Sequence, residues 1–289
     1  MSELWKSQAT KAGEVFAEEQ GVAALPVNPM RIAENLGMTV EALPSERKSV
    51  SGMLLESNNN FGIMYATYVN SLGFQHFCVG HELGHYILPG HYEQLMDSGC
   101  HESHGGFVSG DRHELEADHF SAGLLMPGFL FDPLLNKLNS GLKTIQLLAE
   151  ECETSLTATA IRYAQKTPDP VAIIVSEGQT ILYCFMSDEF KEIRGLTWIK
   201  KGKQVPRNTV TSRFNTAPQN ILNCNQAEGD TTLLDWFESN LRYEVYEEVI
   251  GLGQYGKTLT VLSLEDVPDQ EVLDEEEELV ESWKPRFRR

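Results

Sequence analysis

The sequence predicts a mixed α+β fold built from two packed units. Helical periodicity with capping residues covers most of residues 1–168, and short strand patterns precede the longest helix. After Pro168 and Pro170 the pattern changes to alternating strands. With 289 residues, 41% of them hydrophobic, the chain can form two cores, because domains usually hold about 100 to 200 residues. We therefore expect domains over residues 1–168 and 169–264, followed by a tail over 265–289.

Capping and turn residues predict the first elements. Two helices are expected, over residues 3–20 and 28–37. Gly21 ends the first helix, whereas Asn28 and Pro29 are typical of a helix start. Strand patterns follow over residues 39–43, 51–55 and 61–66. The run Asn58-Asn59-Asn60 tolerates the left-handed conformations that a hairpin between the last two strands requires. A small sheet should therefore precede the next helix.

The next predicted helix, residues 71–88, ends at Pro89-Gly90 and carries the motif His81-Glu82-Leu83-Gly84-His85. Histidines four residues apart lie on one helical face, so both imidazoles can reach one metal ion. Glu82 lies roughly 100° around the helix from His81, close enough to act as a general base without occupying a coordination position. This H-E-x-x-H pattern predicts a metal-dependent hydrolase.

The histidines are concentrated in one part of the chain. All eight lie between residues 76 and 119, whereas the histidines of an ordinary core would be scattered. Residues 90–112 lack helical periodicity, so we expect a loop beside the metal. The thiolate and imidazole groups of residues 100–104 (Cys-His-Glu-Ser-His) could form a second metal site. An exposed loop or a substrate-binding flap is the favoured interpretation of that segment.

A catalytic zinc site needs three protein ligands, so a third must come from elsewhere. The predicted helix over residues 111–126 has Glu114 and Asp118 on one face, and the small Ala117 lets this helix approach another closely. In this E-x-x-A-D arrangement Glu114 would bind the ion. Asp118 would accept the spare ring N–H of a ligand histidine and fix its tautomer. Glu116 points away when Glu114 points inward.

The remaining elements carry no evident catalytic constellation. Helices are predicted over residues 130–139, 142–152 and 155–166, and strands over 171–175, 180–185, 244–250 and 257–264. A further helical pattern covers residues 233–241. Residues 142–165 have a helix-turn-helix rhythm, but only Lys143 and Arg162 are basic there, with Lys166 directly after them. A structural helical pair is favoured over DNA recognition. The acidic tail over 265–289 is expected to be largely disordered.

Charge and cysteine content exclude several classes of function. The net charge of −19 makes direct binding to nucleic acid or to an anionic membrane unfavourable. We find no apolar run long enough to span a membrane and no leader pattern at the amino terminus. Five widely spaced cysteines without a C-x-x-C pair argue against a disulfide framework and for a reducing compartment. A cytoplasmic protein is therefore expected.

The segments HELGHYIL, from His81, and ELEADHFSAGLLMP, ending at Pro127, resemble the ImmA/IrrE family of zinc metallopeptidases. The resemblance covers roughly the first 170 residues and implies a zincin-like, gluzincin-type domain. It implies that the E-x-E-A-[ND] element supplies the third ligand, which corresponds to Glu114, with Glu116 as the alternative. It also implies an endopeptidase that cuts helix-turn-helix transcriptional repressors. The family's basic R-x-R-F segment is replaced here by residues 75–80 (QHFCVG).

Together these features predict a zinc endopeptidase with Glu82 as the general base and His81, His85 and Glu114 as ligands. Manganese is an alternative ion, because imidazole and carboxylate ligands accept both. Its partner would be a protein substrate, and no nucleic acid or membrane partner is expected. Candidate donors to the oxyanion are Tyr65, Tyr68, His91, Tyr92 and His113. The alternative function is a catalytically silent metal-binding protein that regulates or docks with others.

Overall fold

The computed structural model describes residues 4–44, 46–47, 49–95, 99–103, 111–237 and 243–264. Close packing of Cα atoms divides the chain into two compact units. The first comprises residues 1–139 and 144–162, and the second comprises residues 140–143 and 163–289. Helices and strands are mixed in each, so the protein is α+β. The tail over 265–289 lies outside the described residues. In the described part of the chain, no helix is long and apolar enough to cross a bilayer.

The first unit contains a sheet and a set of helices whose order matches the prediction, with two additions. Its elements are α1 (Leu4–Glu19), α2 (Pro29–Asn35), β1 (Thr39–Ala42), β2 (Gly52–Ser57), β3 (Asn60–Tyr65), α3 (Leu72–Ile87), α4 (His91–Leu95), β4 (Cys100–Ser103), α5 (Arg112–Leu125) and α6 (Gly128–Leu135). Ser71 caps α3 by accepting a hydrogen bond from the Phe74 N–H, and Asp111 caps α5 in the same way through His113. These caps fix where the two helices that carry the motif residues begin.

The strands of this unit form one sheet in the order β1-β3-β2-β4. Strands β2 and β3 make the predicted antiparallel hairpin, turned by Asn58 and Asn59 with φ of 52° and 61°. Both asparagines therefore adopt the left-handed conformation that the sequence predicts. Strand β1 pairs with β3 in parallel, and β4 pairs with β2 in the antiparallel sense.

The prediction of a loop over residues 90–112 was wrong for part of that segment. Helix α4 and strand β4 both lie within it. Strand β4 is held by its ladder with β2, in which Gly52 pairs with Ser103 and Leu54 pairs with His101. The strand is short and polar, so its stability comes from this tertiary pairing rather than from its own pattern. Residues 96–98 and 104–110, including His104, lie outside the described residues.

Glycines allow α1, α3 and α5 to pack with their backbones close together. A Cβ on Gly123 of α5 would lie 2.0 Å from the Thr10 carbonyl oxygen of α1, and one on Gly13 would lie 2.1 Å from the Phe120 carbonyl oxygen. On the other side of α5, a Cβ on Gly84 of α3 would lie 3.1 Å from the Cα of Ala117. The close approach expected from Ala117 is therefore confirmed. It places α3 and α5 side by side, with their polar residues facing each other.

Replacing Gly123 by alanine is expected to lower the free energy of unfolding by about 2 kcal/mol, because the new methyl group would overlap a backbone atom that no side-chain rotation can move. Denaturant titration followed by circular dichroism measures this change. The control is Gly62→Ala on β3, where a Cβ would lie 3.4 Å from its nearest neighbour, an ordinary contact. Equal stability of the Gly123→Ala variant and the wild type would contradict the described packing.

Helices α7 (Leu142–Cys152) and α8 (Leu156–Lys166) form the predicted helical pair. The Glu153 residue between them has φ of 51°, the left-handed conformation of a tight turn. Arg162 of α8 is buried, where its guanidinium pairs with Glu14 and donates to the Met126 carbonyl. One of the few basic side chains of the helix-turn-helix segment is thus used for packing. This supports the structural interpretation of the pair.

The second unit is built on an antiparallel sheet in the order β6-β5-β9-β8-β7. Its elements are β5 (Val171–Glu177), β6 (Thr180–Met186), α9 (Asp188–Lys191), α10 (Val210–Phe214), α11 (Pro218–Leu222), β7 (Gln226–Thr232), α12 (Leu233–Phe237), β8 (Glu244–Gly251) and β9 (Thr258–Ser263). The predicted hairpins β5–β6 and β8–β9 are confirmed. The sequence did not indicate β7, a polar edge strand. The buried carboxylate of Glu247 accepts hydrogen bonds from the Val210 and Thr211 N–H groups at the start of α10.

Candidate metal centre

Three side chains from α3 and α5 converge on one point inside the first unit. His81 and His85 lie one turn apart on α3, and their Nε2 atoms are 3.0 Å from each other. Glu114, in the first turn of α5, places one carboxylate oxygen 3.5 Å from His81 Nε2 and the other 3.3 Å from His85 Nε2. Both histidines are buried, and Glu114 is mostly buried. The side-by-side packing of α3 and α5 produces this convergence.

The electrostatics of the cluster favour a cation. Burial would lower the pKa of His81, but its hydrogen bonds to Asp118 and Glu114 outweigh burial and raise the pKa to about 10. Burial would raise the pKa of Glu114, yet hydrogen bonds from His101, His81 and His85 hold it well below its usual range. Burial lowers the pKa of His85 to about 3. Carboxylates that stabilise a proton on His81 so strongly would also stabilise a metal cation between the same groups.

Two of the three side chains are held by a further polar residue. His81 Nδ1 lies 2.8 Å from the buried Asp118 Oδ1, which is the contact expected from the four-residue spacing of Glu114 and Asp118. His101 Nε2, on β4, lies 2.9 Å from Glu114 Oε1. The sequence indicated His101 only for a possible second metal site. Its position beside Glu114 depends on β4, whose alternation turns residues 101 and 103 toward the same face.

Glu82 lies beside the cluster with Gly52 of β2 and Ser103 of β4 next to its carboxylate, and these buried surroundings are called the Glu82 pocket. Its carboxylate is fully buried, and although the Ser103 hydroxyl lies near it, neither oxygen has a partner with hydrogen-bond geometry among the described residues. Burial raises the pKa of Glu82 to about 7, a rise that His81 and the nearby Ser103 hydroxyl oppose. Gly52 forms the wall next to it, because a Cβ at Gly52 would lie 2.3 Å from Glu82 Oε1. An unpaired buried carboxylate costs stability, so its presence indicates a use.

The other predicted residues lie around this centre. Glu116 contacts His91 rather than His81 or His85, so Glu114 is the glutamate that the fold brings to these two histidines. Two of the tyrosines suggested as oxyanion donors make contacts elsewhere. Tyr92 donates a hydrogen bond to Glu56, whereas Tyr68 is partly exposed and packs on Phe74. Tyr65 is half buried at the end of β3. Among the described residues, the clusters with metal-ligand geometry do not include Cys100.

Residues 33–163 match the family model of peptidase family M78, described as the IrrE N-terminal-like domain. This segment contains the converging side chains of α3 and α5 and the Glu82 pocket. The match over residues 33–163 supports the assignment of this segment to the ImmA/IrrE family. The M78 domain begins in α2 and ends in α8, so it occupies most of the first compact unit.

Comparison of structures extends the likeness beyond the M78 domain, at the level of fold. A solved structure titled "Mycobacterium tuberculosis transcriptional regulator" is similar over 89% of this chain and 76% of its own, with a TM-score of 0.57 and 13% sequence identity. At that identity the likeness shows a shared fold. No curated protein matches the sequence significantly.

The residues of the M78 domain fit a zinc ion. Two imidazole nitrogens and one carboxylate oxygen are zinc ligands, and in a tetrahedral zinc site such atoms are separated by about 3.3 Å. The corresponding distances here are 3.0, 3.3 and 3.5 Å. All three side chains project from helices, and neighbouring residues hold His81 and Glu114 in place. The arrangement of the three side chains is therefore preformed. A divalent cation would therefore require little rearrangement of His81, His85 and Glu114.

Proposed function

We propose that this protein is a zinc-dependent endopeptidase with a zincin-like, gluzincin-type catalytic domain. The observation that supports this proposal most directly is the Glu82 carboxylate, buried and unpartnered among the described residues, next to three converging ligands. A metal site used only for structure would not need such a group. The match of residues 33–163 to peptidase family M78 supports the same class of reaction.

His81, His85 and Glu114 would hold the ion. When bound, zinc supplies a Lewis acid that polarises the scissile carbonyl. Glu82 takes a proton from the attacking water as the water oxygen bonds to the carbonyl carbon. It then delivers that proton to the leaving amine nitrogen as the C–N bond breaks. A carboxyl group whose pKa burial has raised to about 7 can do both near neutral pH.

The substrate would bind as an extended strand along β4. This strand ends the sheet and, among the described strands, pairs only with β2. Its other edge offers backbone N–H and C=O groups to a peptide, while His101 and Ser103 point from it toward the site. Addition of a strand here would bring a backbone carbonyl past Glu82 without requiring a deep side-chain pocket.

The proposed target is a helix-turn-helix transcriptional repressor in the cytoplasm. The family resemblance supports this class, and the fold likeness to a transcriptional regulator agrees with a role in transcription. The net charge of −19 favours a protein target over direct contact with DNA. The five cysteines are widely spaced and form no C-x-x-C pair, which favours a reducing compartment. Manganese remains the alternative ion.

The proposal is tested by mapping new protein amino termini in cells of the source organism that express the full chain. We expect one or a few internal cleavage sites, concentrated in a transcriptional repressor. When the purified protein is added to lysate, the same cleavage should stop on treatment with a chelator and return when zinc is added. Elemental analysis of the purified protein identifies the ion. Products that persist without metal, or their complete absence with the loaded protein, would contradict an endopeptidase.

Two variants serve as controls for this experiment. The double variant His81→Ala, His85→Ala removes both ring ligands and should yield neither bound metal nor cleavage products. His119→Ala should behave as the wild type, because His119 makes an edge contact with Trp5 outside the cluster. If the wild type binds metal and acts on its partner without cutting it, the protein is a metal-binding regulator, which is the alternative function.

A further inference from the structure

A second group of polar side chains lies directly behind His85. His91 of α4 and Glu116 and His113 of α5 have ligand-type atoms within 4.8 Å of one another. His91 is buried, with Nδ1 3.0 Å from His85 Nδ1 and Nε2 3.1 Å from Glu116 Oε2. The ring of His113 stands at right angles to that of His91, at a centroid distance of 4.7 Å. Such a group could bind a second ion, or it could support the first site.

Proton positions distinguish these two roles. If His85 Nε2 binds the proposed ion, the ring proton of His85 is on Nδ1 and points at His91 Nδ1, which must accept it. The proton of His91 is then on Nε2, which faces Glu116 Oε2 and donates to it. Every nitrogen and oxygen atom in this series of hydrogen bonds therefore has a partner of the correct kind, with each donor facing an acceptor.

A second ion bound to His91 would break this series of hydrogen bonds. Binding through His91 Nε2 would move the His91 proton to Nδ1, where it would face the Nδ1 proton of His85 across 3.0 Å. Glu116 is also engaged already, because Arg112 Nε donates to its other oxygen at 2.8 Å. The arginine charge lowers the attraction of this carboxylate for another cation. The geometry therefore disfavours simultaneous metal binding at the two groups.

We propose that His91 and Glu116 are positioning residues that hold His85 in the tautomer and orientation needed for metal binding. The proposal rests on the metal centre of the proposed function. Asp118 holds His81 in the same way, but through one carboxylate rather than through a second histidine. The turn after α3 explains how His91 reaches this place: Gly90 has φ of 84°, which reverses the chain and returns residue 91 to the ring six positions before it.

Metal affinity tests this proposal. Zinc binding to the full-length protein is measured by competition with a chromogenic chelator, and the visible spectrum of the cobalt-substituted protein reports ligand geometry. We expect Glu116→Ala and His91→Ala to weaken zinc binding by about 10- to 100-fold and to shift the cobalt bands, while zinc still binds with a stoichiometry of one. Glu116→Gln should recover part of the affinity, because its amide oxygen still accepts the His91 N–H.

His113→Asn is the discriminating control. His113 takes no part in the hydrogen bonds that join His85, His91 and Glu116. This variant should therefore bind zinc as tightly as the wild type. Binding of a second zinc ion by the wild type that is lost in His113→Asn would show a second metal site and overturn the proposal. Unchanged affinity and cobalt spectra in both His91→Ala and Glu116→Ala would also overturn it.

These outcomes separate the positioning proposal from the proposed function. If the wild type binds zinc and cleaves its target, but the His91 and Glu116 variants match it in affinity and spectrum, only the positioning role fails. If the wild type binds no zinc, the metal centre fails and the positioning role fails with it. Circular dichroism of each variant identifies a loss of fold, and Glu116→Ala keeps the test valid should His91→Ala misfold.

Discussion

Replacing Glu82 by glutamine is expected to slow peptide-bond cleavage by about 10²- to 10⁴-fold while the metal content stays unchanged. Glutamine has nearly the same shape as glutamate, but it cannot take a proton from water. The other carboxylates and imidazoles described near Glu82 each have a hydrogen-bond partner, so none of them is available to replace it as the proton acceptor. The effect should therefore be large. The measurement is the initial rate of cleavage of the target protein under single-turnover conditions, beside elemental analysis of both proteins.

The same substitution should leave the metal-free protein at least as stable as the wild type. Burial raises the pKa of Glu82 to about 7, so the ionised carboxylate destabilises the fold above the ordinary pKa of a glutamate. Glutamine removes that charge, and thermal denaturation at pH 8 measures the gain. Glu19→Gln, at the exposed end of α1, is the control and should alter neither rate nor stability. Cleavage at the wild-type rate by Glu82→Gln would exclude Glu82 as the general base.

The helix that carries the H-E-x-x-H motif could be predicted almost to the residue because its signals are local. Ser71 caps it, Pro89-Gly90 follows its end, and the predicted range of 71–88 compares with Leu72–Ile87 in the structure. The four-residue spacing of Glu114 and Asp118 is equally local, since it determines that both carboxylates share a face of α5. Ala117 between them indicated how close α3 would come.

The residues that support the ligands could not be predicted, because their contacts depend on tertiary structure. His91 reaches His85 through the turn at Gly90, as the first residue of a five-residue helix, and His101 reaches Glu114 from a strand that exists only by pairing with β2. Neither segment has an apolar period that would predict its conformation. Glu116 was expected to point away from the ligand histidines. It does, but it reaches one of them through His91.

Polar edge strands were missed for a related reason. The seven residues of β7 (QAEGDTT) alternate between exposed and partly buried positions and contain almost no β-branched or aromatic apolar residue. Their conformation is imposed by the ladder with β8, whose alternate residues Val245, Glu247 and Val249 are buried on one face. Propensity could identify β8 and β9 as a hairpin, but it could not identify the strand added to their edge.

Replacing Gly52 by alanine is expected to reduce cleavage by about 100-fold without loss of bound zinc. The new Cβ would lie 2.3 Å from Glu82 Oε1 and 3.0 Å from its Cδ, against a normal contact of 3.4 Å or more. The carboxylate must therefore move by about 1 Å, a displacement that commonly costs two orders of magnitude in rate. The backbone itself tolerates alanine, because Gly52 does not have a positive φ and lies within a strand.

Measurements on a matched pair separate this effect from damage to the sheet. Gly62→Ala changes the adjacent strand β3, where the new methyl group makes only an ordinary contact with the Thr39 carbonyl oxygen. It should retain wild-type cleavage, zinc affinity and thermal stability, whereas Gly52→Ala should lose cleavage alone. Loss of zinc from Gly52→Ala would mean that the strand, and not the Glu82 carboxylate, had moved.

A double-mutant cycle shows whether Gly52 acts through Glu82. If it does, adding Gly52→Ala to Glu82→Gln should change the remaining activity by less than about threefold, because the proton acceptor whose position Gly52 determines is already absent. Independent effects would instead multiply, and the double variant would be about 100-fold slower than Glu82→Gln. That result would assign Gly52 to contact with the substrate backbone at the edge of the sheet. The non-additive result would establish that a glycine on β2 maintains the space in which the general base operates.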